Sequence, residues 1–155
     1  MEVYLVQHGE AKPEAEDPQR PLTDRGREEV ERVAQRAAEA GIRISRILHS
    51  GKLRARQTAE IFARYLSPAQ GIGEVEGLSP LDDPNMAKNL IETSPEPLML
   101  VGHLPHLSRL ASALVLGEAG REIIRFRMGG VVCLVWVGEG WQFGWALTPE
   151  VVGTD

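Results

Sequence analysis

One cysteine among 155 residues excludes an internal disulfide and any cysteine-based metal cluster. That residue, Cys133, lies inside the apolar run Val131-Val132-Cys133-Leu134-Val135, a setting that favours a buried structural thiol over a reactive one. Long hydrophobic stretches are also missing, and none approaches the roughly 20 apolar residues that cross a bilayer. The opening Met1-Glu2-Val3 lacks the basic flank and apolar segment of a secretory signal. A cytoplasmic location without a membrane partner is the expectation. Nor is there an excess of positive charge. The formal net charge of −5 speaks against nucleic acid, which selects for a basic stripe. There is no internal repeat and no composition shift that would mark a domain boundary. With 43% hydrophobic and 25% charged residues, the chain has the balance of an ordinary globular protein, so one domain over 1–155 is expected.

Two short apolar runs each end on a histidine: Val3-Tyr4-Leu5-Val6-Gln7-His8-Gly9 and Leu98-Met99-Leu100-Val101-Gly102-His103. Runs of this length followed by polar or Gly-rich loops read as buried parallel strands. Ligands of open α/β sheets gather outside the carboxyl ends of such strands, so both imidazoles can face one crevice.

Between them, Glu10 to Pro21 is a polar, Pro-rich connection. Thr23 or Asp24 then caps a helix with Val30, Val33, Ala34 and Ala37 on one face, and Gly41 ends it. Ile44–His49 reads as a strand and Ser50 as the cap of a second helix, with Thr58, Ile61, Phe62, Tyr65 and Leu66 as its stripe. A short strand near Gly73–Glu76 and a short helix over Asn85–Glu92 follow. A further helix should run from Pro105 to about Leu116, leaving Gly117–Arg127 unassigned. Val131–Val137 and Trp141–Leu147 flank Gly138-Glu139-Gly140, a hairpin signature. By alternation, Trp141, Phe143 and Trp145 should share one face of the sheet. Strands alternating with helices imply a three-layer α/β/α sandwich with a mostly parallel central sheet and a C-terminal antiparallel hairpin.

A histidine at a strand end is by itself more often structural than catalytic. The arginines change that. Arg20 precedes a helix in Arg20-Pro21-Leu22-Thr23, and Arg54 lies in the first turn after a strand in Ser50-Gly51-Lys52-Leu53-Arg54. A guanidinium there joins the free N–H groups and positive dipole end of the helix, and its fork suits a tetrahedral oxyanion. Two imidazoles and two guanidiniums at one sheet edge describe a phosphate site. Lys52 and Arg56 flank the same turn and read as solvated. A metal site built from His8, His49, His103 and His106 is a weaker rival, for the four lack a helical ligand pair, and His106 reads as facing solvent or capping a helix.

Gln7-His8-Gly9, Arg20-Pro21-Leu22-Thr23 with Gly26, Ser50 to Ala59 with Gln57-Thr58, Val101-Gly102-His103-Leu104-Pro105 and the closing Trp145-Ala146-Leu147-Thr148-Pro149 form an ordered set across nearly the whole chain. In this the chain resembles the histidine phosphatase superfamily, the phosphoglycerate-mutase-like group, and most closely its compact SixA-type phosphohistidine phosphatase branch. The resemblance implies that His8 is a nucleophile transiently phosphorylated on its ring. It also implies that His103 is the second catalytic residue, and that Gln7, Gly9, Arg20 and Arg54 bind the phosphoryl group. Phosphate would leave a phosphorylated protein, or a small phosphorylated substrate, and emerge as inorganic phosphate. Neither a metal nor any other cofactor is implied, because cationic side chains fill that role.

The family's first motif normally reads Arg-His-Gly, and here Gln7 stands in place of the arginine. An amide can donate a hydrogen bond but brings no charge, which leaves a weakly active or non-catalytic phosphate-binding protein as an alternative. A general phosphomonoesterase is the other. Glu74, Glu76, Asp82 and Asp83 lie where many relatives place a leaving-group acid, yet none sits in a recognisable motif.

Overall fold

Val3-Tyr4-Leu5-Val6 is apolar without alternation, so a strand made from it must be covered on both faces. In a computed structural model, which describes residues 1–153, this run forms β1 (Glu2–Gln7). The last two residues of the expected 1–155 domain lie outside the described ones.

The elements that follow are α1 (Asp24–Glu39), β2 (Arg46–His49), α2 (Leu53–Leu66), β3 (Ile72–Glu74), α3 (Pro84–Thr93), β4 (Leu98–Gly102), α4 (His106–Leu116), β5 (Val131–Val137), β6 (Gly140–Leu147) and α5 (Pro149–Val152). They build one six-stranded sheet in the order β3-β2-β4-β1-β5-β6. β1, β2, β3 and β4 are mutually parallel, whereas β5 runs antiparallel to both β1 and β6. Helices α1 and α2 pack on one face through Val30, Val33, Ala34, Ala55, Ala59 and Phe62. On the other face, α3 and α4 contribute Ala87, Ile91, Leu107, Leu110 and Leu114. The architecture is the expected three-layer sandwich. Among the described residues no helix is long and apolar enough to cross a membrane.

Local expectations fare unevenly. Thr23 caps α1, its hydroxyl accepting from the Gly26 N–H at 2.9 Å, and all four stripe residues of that helix are buried. Cys133 is buried, and burial pushes its thiol up to about 11, which makes it inert at neutral pH. Ser50 does not cap α2; the cap residue is Lys52, with no side-chain hydrogen bond. Pro105 takes the cap position of α4 rather than its first turn.

The aromatic face is a clear correction. Cys133 pairs with Trp145 and Leu134 with Phe143, so β6 carries one extra residue, Gly144, in a bulge. A one-residue slip reverses side-chain phase. Trp141 therefore joins the α3/α4 side, edge-on to Trp136, while Trp145 packs on the α1/α2 side against Tyr4.

Candidate active site

β1 and β4 are neighbours with Gln7 opposite Gly102, and the ladder continues one step further, the His8 N–H donating to the Gly102 carbonyl at 3.1 Å. His8 and His103 are thus the first residues beyond paired strand ends. Their rings lie 5.0 Å apart, centroid to centroid, tilted by 54°. The chain leaving β1 enters α1 on one face, and the chain leaving β4 enters α4 on the other. Connections that diverge in this way open a crevice at the carboxyl edge of the sheet.

The His8 Nδ1 lies 2.7 Å from the Gly9 carbonyl oxygen. A carbonyl only accepts, so Nδ1 carries the proton and Nε2 keeps a lone pair. Burial pushes the ring down to about 4, the Gly9 bond opposes this, and the charges of Arg54 and Arg20 add to it. His103 is buried and is pushed lower, to about 3, by burial first and then by His8, Arg54 and Lys52. Its Nε2 lies 2.7 Å from the Ser50 hydroxyl, and its buried Nδ1 has no partner among the described residues. Both imidazoles are neutral at pH 7.

The guanidiniums complete the arrangement. Arg20 holds a left-handed φ of 52°, rare for a side chain of this size and costing on the order of 1–2 kcal/mol, while its Nε donates to the Lys12 carbonyl at 3.0 Å. Arg54 projects from the first turn of α2 with its Nε buried and unpartnered. Burial and then the charge of Arg20 lower its pKa. Among the described residues neither arginine is paired with a carboxylate. Two like charges held together without a counter-ion make a site for an anion.

Hydrogen bonds that the sequence did not reveal hold this arrangement. Thr58, expected on an apolar stripe, is fully buried; its hydroxyl accepts from the Gly9 N–H at 3.0 Å and donates to the Arg54 carbonyl at 2.8 Å. It ties the His8 loop to the turn that carries Arg54. The Gln57 side-chain oxygen accepts from the Leu22 N–H at 2.8 Å and anchors the Arg20 segment. The signal the sequence offered for both was the Gln57-Thr58 pair among the residues that carry the family resemblance. Two glycines permit close approach: a Cβ at Gly9 would come within 2.7 Å of Val30 Cγ2, and one at Gly26 would overlap the Glu10 carbonyl.

The remaining candidates sort cleanly. The Gln7 side-chain oxygen is buried without a donor beside His8. Lys52 is exposed, and Arg56 is exposed and pairs with Glu60. Asp82 accepts from the Ser79 N–H and Asp83 caps α3, so both carboxylates have structural partners. Glu76 is exposed, and the Glu74 carboxylate lies against Gly51. The His49 Nδ1 accepts from the Gly51 N–H at 3.0 Å. His106, expected to face solvent or cap a helix, is instead fully buried, because the first turn of α4 presses its ring into the interior.

These shifts predict a pH dependence. A histidine that titrates lower in the folded chain binds a proton more readily once unfolded, so stability rises with pH across the window between the two values. For His8 that window runs from about 4 to 6.5; its contribution is complete above 6.5 and is lost as pH falls through about 4. His103 extends the loss toward pH 3. NMR titration of the two imidazoles should show midpoints near 4 and 3, and midpoints near 6.5 would contradict the burial described here.

The sequence model of the histidine phosphatase superfamily (branch 1) matches residues 3–82, which include His8, Arg20 and Arg54. Phosphohistidine phosphatase SixA of Escherichia coli K12 is 27% identical over 154 residues, covering 96% of this chain and 94% of that protein. An uncharacterised protein of Picosynechococcus is 37% identical over 142 residues, covering 86% and 84%. The solved structure of the protein histidine phosphatase SixA complexed with tungstate superposes with a TM-score of 0.85 at 25% identity, over 99% of this chain and 100% of that one. On the family match and the 37% identical relative, the chain belongs to the histidine phosphatase superfamily.

Proposed function

We propose that the protein removes phosphate from a phosphorylated histidine on another protein, through a transient phosphohistidine on His8. The observation that carries this reading is a neutral imidazole, its proton held on Nδ1 by Gly9, in the field of two unpaired guanidiniums. The Nε2 lone pair of His8 attacks phosphorus, and the bond to the leaving nitrogen breaks. Arg20 and Arg54 neutralise the phosphoryl oxygens, and the second imidazole, His103, adds a hydrogen-bonding group at the same crevice. Water then attacks the phosphohistidine, the P–Nε2 bond breaks, and inorganic phosphate departs. Cationic side chains do here what a metal ion does elsewhere, so the mechanism calls for no cofactor.

The leaving group distinguishes phosphohistidine from an ester. An alkoxide needs a proton from a placed acid, whereas a phosphoramidate departs more readily. Asp82 and Asp83 are held by backbone N–H groups. Similarity to SixA over nearly the full length of both chains supports the same choice. The long Glu10–Pro21 connection closes on itself, the Lys12 N–H donating to the Pro21 carbonyl at 2.8 Å and Ala11 bridging to Leu22. His8 itself stays half-buried rather than covered, as attack on a protein-borne phosphohistidine requires.

Phosphate release from a histidine phosphotransfer domain phosphorylated on its histidine should exceed release from p-nitrophenyl phosphate by about tenfold or more in kcat/KM. Faster ester cleavage would favour a general phosphomonoesterase. Anion binding with no release from either substrate would favour a non-catalytic phosphate binder. Gln7→Arg bears on the missing charge. A hydrogen bond to a charged group is worth roughly 1.5–3 kcal/mol, so turnover should rise about 10- to 100-fold. An unchanged or lower rate would mean that Arg20, Arg54 and His103 already suffice.

A further inference from the structure

Between α4 and β5 the chain returns without regular structure to the carboxyl edge of the sheet, where Val131 pairs with Val6, and two adjoining hollows lie beside it. The first, of about 350 Å³, begins at Leu104 and Pro105, immediately after His103, and is floored by Phe126. The second, of about 470 Å³, runs from Arg127 and Gly130 past Ile123 to Phe143 on β6. Ile124 and Arg125 line both, so the two hollows share a wall and form a track in two parts. Leu104, Ile123 and Phe143 are 41%, 40% and 56% exposed, unusual for side chains of this size grouped on one face. The stretch between Arg127 and Gly130, which both line the second hollow, also meets the crevice. Met128 bridges to Gln7, and the Gly129 N–H donates to the Gln7 carbonyl at 2.9 Å and to the His8 carbonyl at 3.3 Å.

We propose that this track docks the protein that carries the phosphorylated histidine, by holding a helix whose apolar stripe is flanked by carboxylates. The proposal rests on the phosphohistidine reading above. A phosphorylated side chain on a protein surface reaches His8 only if the surrounding surface covers the rim. An interface of ordinary size buries about 800 Å² per partner, a disc reaching roughly 16 Å from its centre. Residues one or two positions from His8 and His103 fall inside such a disc, and the track starts there. Its lining supplies the apolar anchors and arginines that dominate recognition. Charge specifies the partner's sign. On a chain of net charge −5, the only charged side chains among the described residues that line the second hollow are Arg125 and Arg127. Glu150 on α5 feels both, one carboxylate against two guanidiniums, and Glu122 lines the first hollow beside Arg125. An acidic rim on the partner helix complements the excess positive charge of the second hollow.

Phe143→Asp and Arg125→Glu test this in the full chain, because both side chains are exposed and neither belongs to the catalytic set. The substrates are a histidine phosphotransfer domain phosphorylated on its histidine, and the free phosphoramidate ion. Each substitution should lower kcat/KM for the phosphoprotein by about tenfold and leave the phosphoramidate rate within about twofold. Raising the salt concentration should slow the wild-type reaction with the phosphoprotein and have a smaller effect on Arg125→Glu. Equal losses on both substrates, or no loss on either, would overturn the docking surface and leave the phosphatase reading standing. A wild-type protein that cleaves phosphoramidate but never the phosphoprotein would overturn both.

Discussion

Replacing His8 by alanine should reduce phosphate release by on the order of 10⁴-fold or more, and no acid-labile phosphoenzyme should form. The expectation is this large because the covalent route runs through the free Nε2 lone pair of His8, which the other imidazole is not free to replace. The partner imidazole of His103 lies 5.0 Å away with Nε2 engaged by the Ser50 hydroxyl. The fold should survive, since β1 is held by its ladders to β4 and β5 rather than by this ring. His8→Ala should also remove part of the stability loss between pH 6.5 and about 4, because the group with the lowered pKa is gone. Retained turnover within tenfold of the wild type would show that His8 is not the nucleophile.

Arg54→Met should move activity and stability in opposite directions. Methionine keeps an apolar stem in the first turn of α2 and removes the charge. Loss of a placed donor to a developing oxyanion costs about 10²–10³-fold in rate. Yet the Arg54 Nε has no acceptor among the described residues, and the Arg20 charge opposes its own. Removing it relieves a half-buried charge with no carboxylate partner among the described residues, so the melting temperature should hold or rise by about 2–4 °C. Phosphate, which should stabilise the wild type against heat, should do so much less in the variant. A variant that is both inactive and strongly destabilised would mean that Arg54 serves the fold rather than an anion.

The helices were legible where packing and propensity agree. Val30, Val33, Ala34 and Ala37 mark the buried side of α1 by spacing alone, and Thr23 marks its start. The mostly parallel direction of the strands, with an antiparallel hairpin at the end, followed from the alternation of apolar runs with helices. Single side chains whose partners lie far along the chain were not legible. Ser50 has the composition of a helix cap and in fact bonds a ring 53 residues away. Thr58 reads as part of a stripe and bonds a backbone N–H 49 residues away. A hydroxyl has the same local preferences in either role, so nothing local separates them. The bulge at Gly144 escaped for a related reason: alternation fixes side-chain phase only while the ladder stays in register.

The amino-acid sequence by itself determined that two histidines end buried strands and that two arginines precede or open helices, because burial pattern and turn chemistry are local properties. Only the tertiary structure decided that β1 and β4 lie side by side, with His8 and His103 on adjacent rungs and Arg20 and Arg54 unpaired beside them. Strand neighbours are chosen by contacts between segments more than 90 residues apart, through burial of both faces of the sheet. That long-range choice brings four scattered side chains to one crevice.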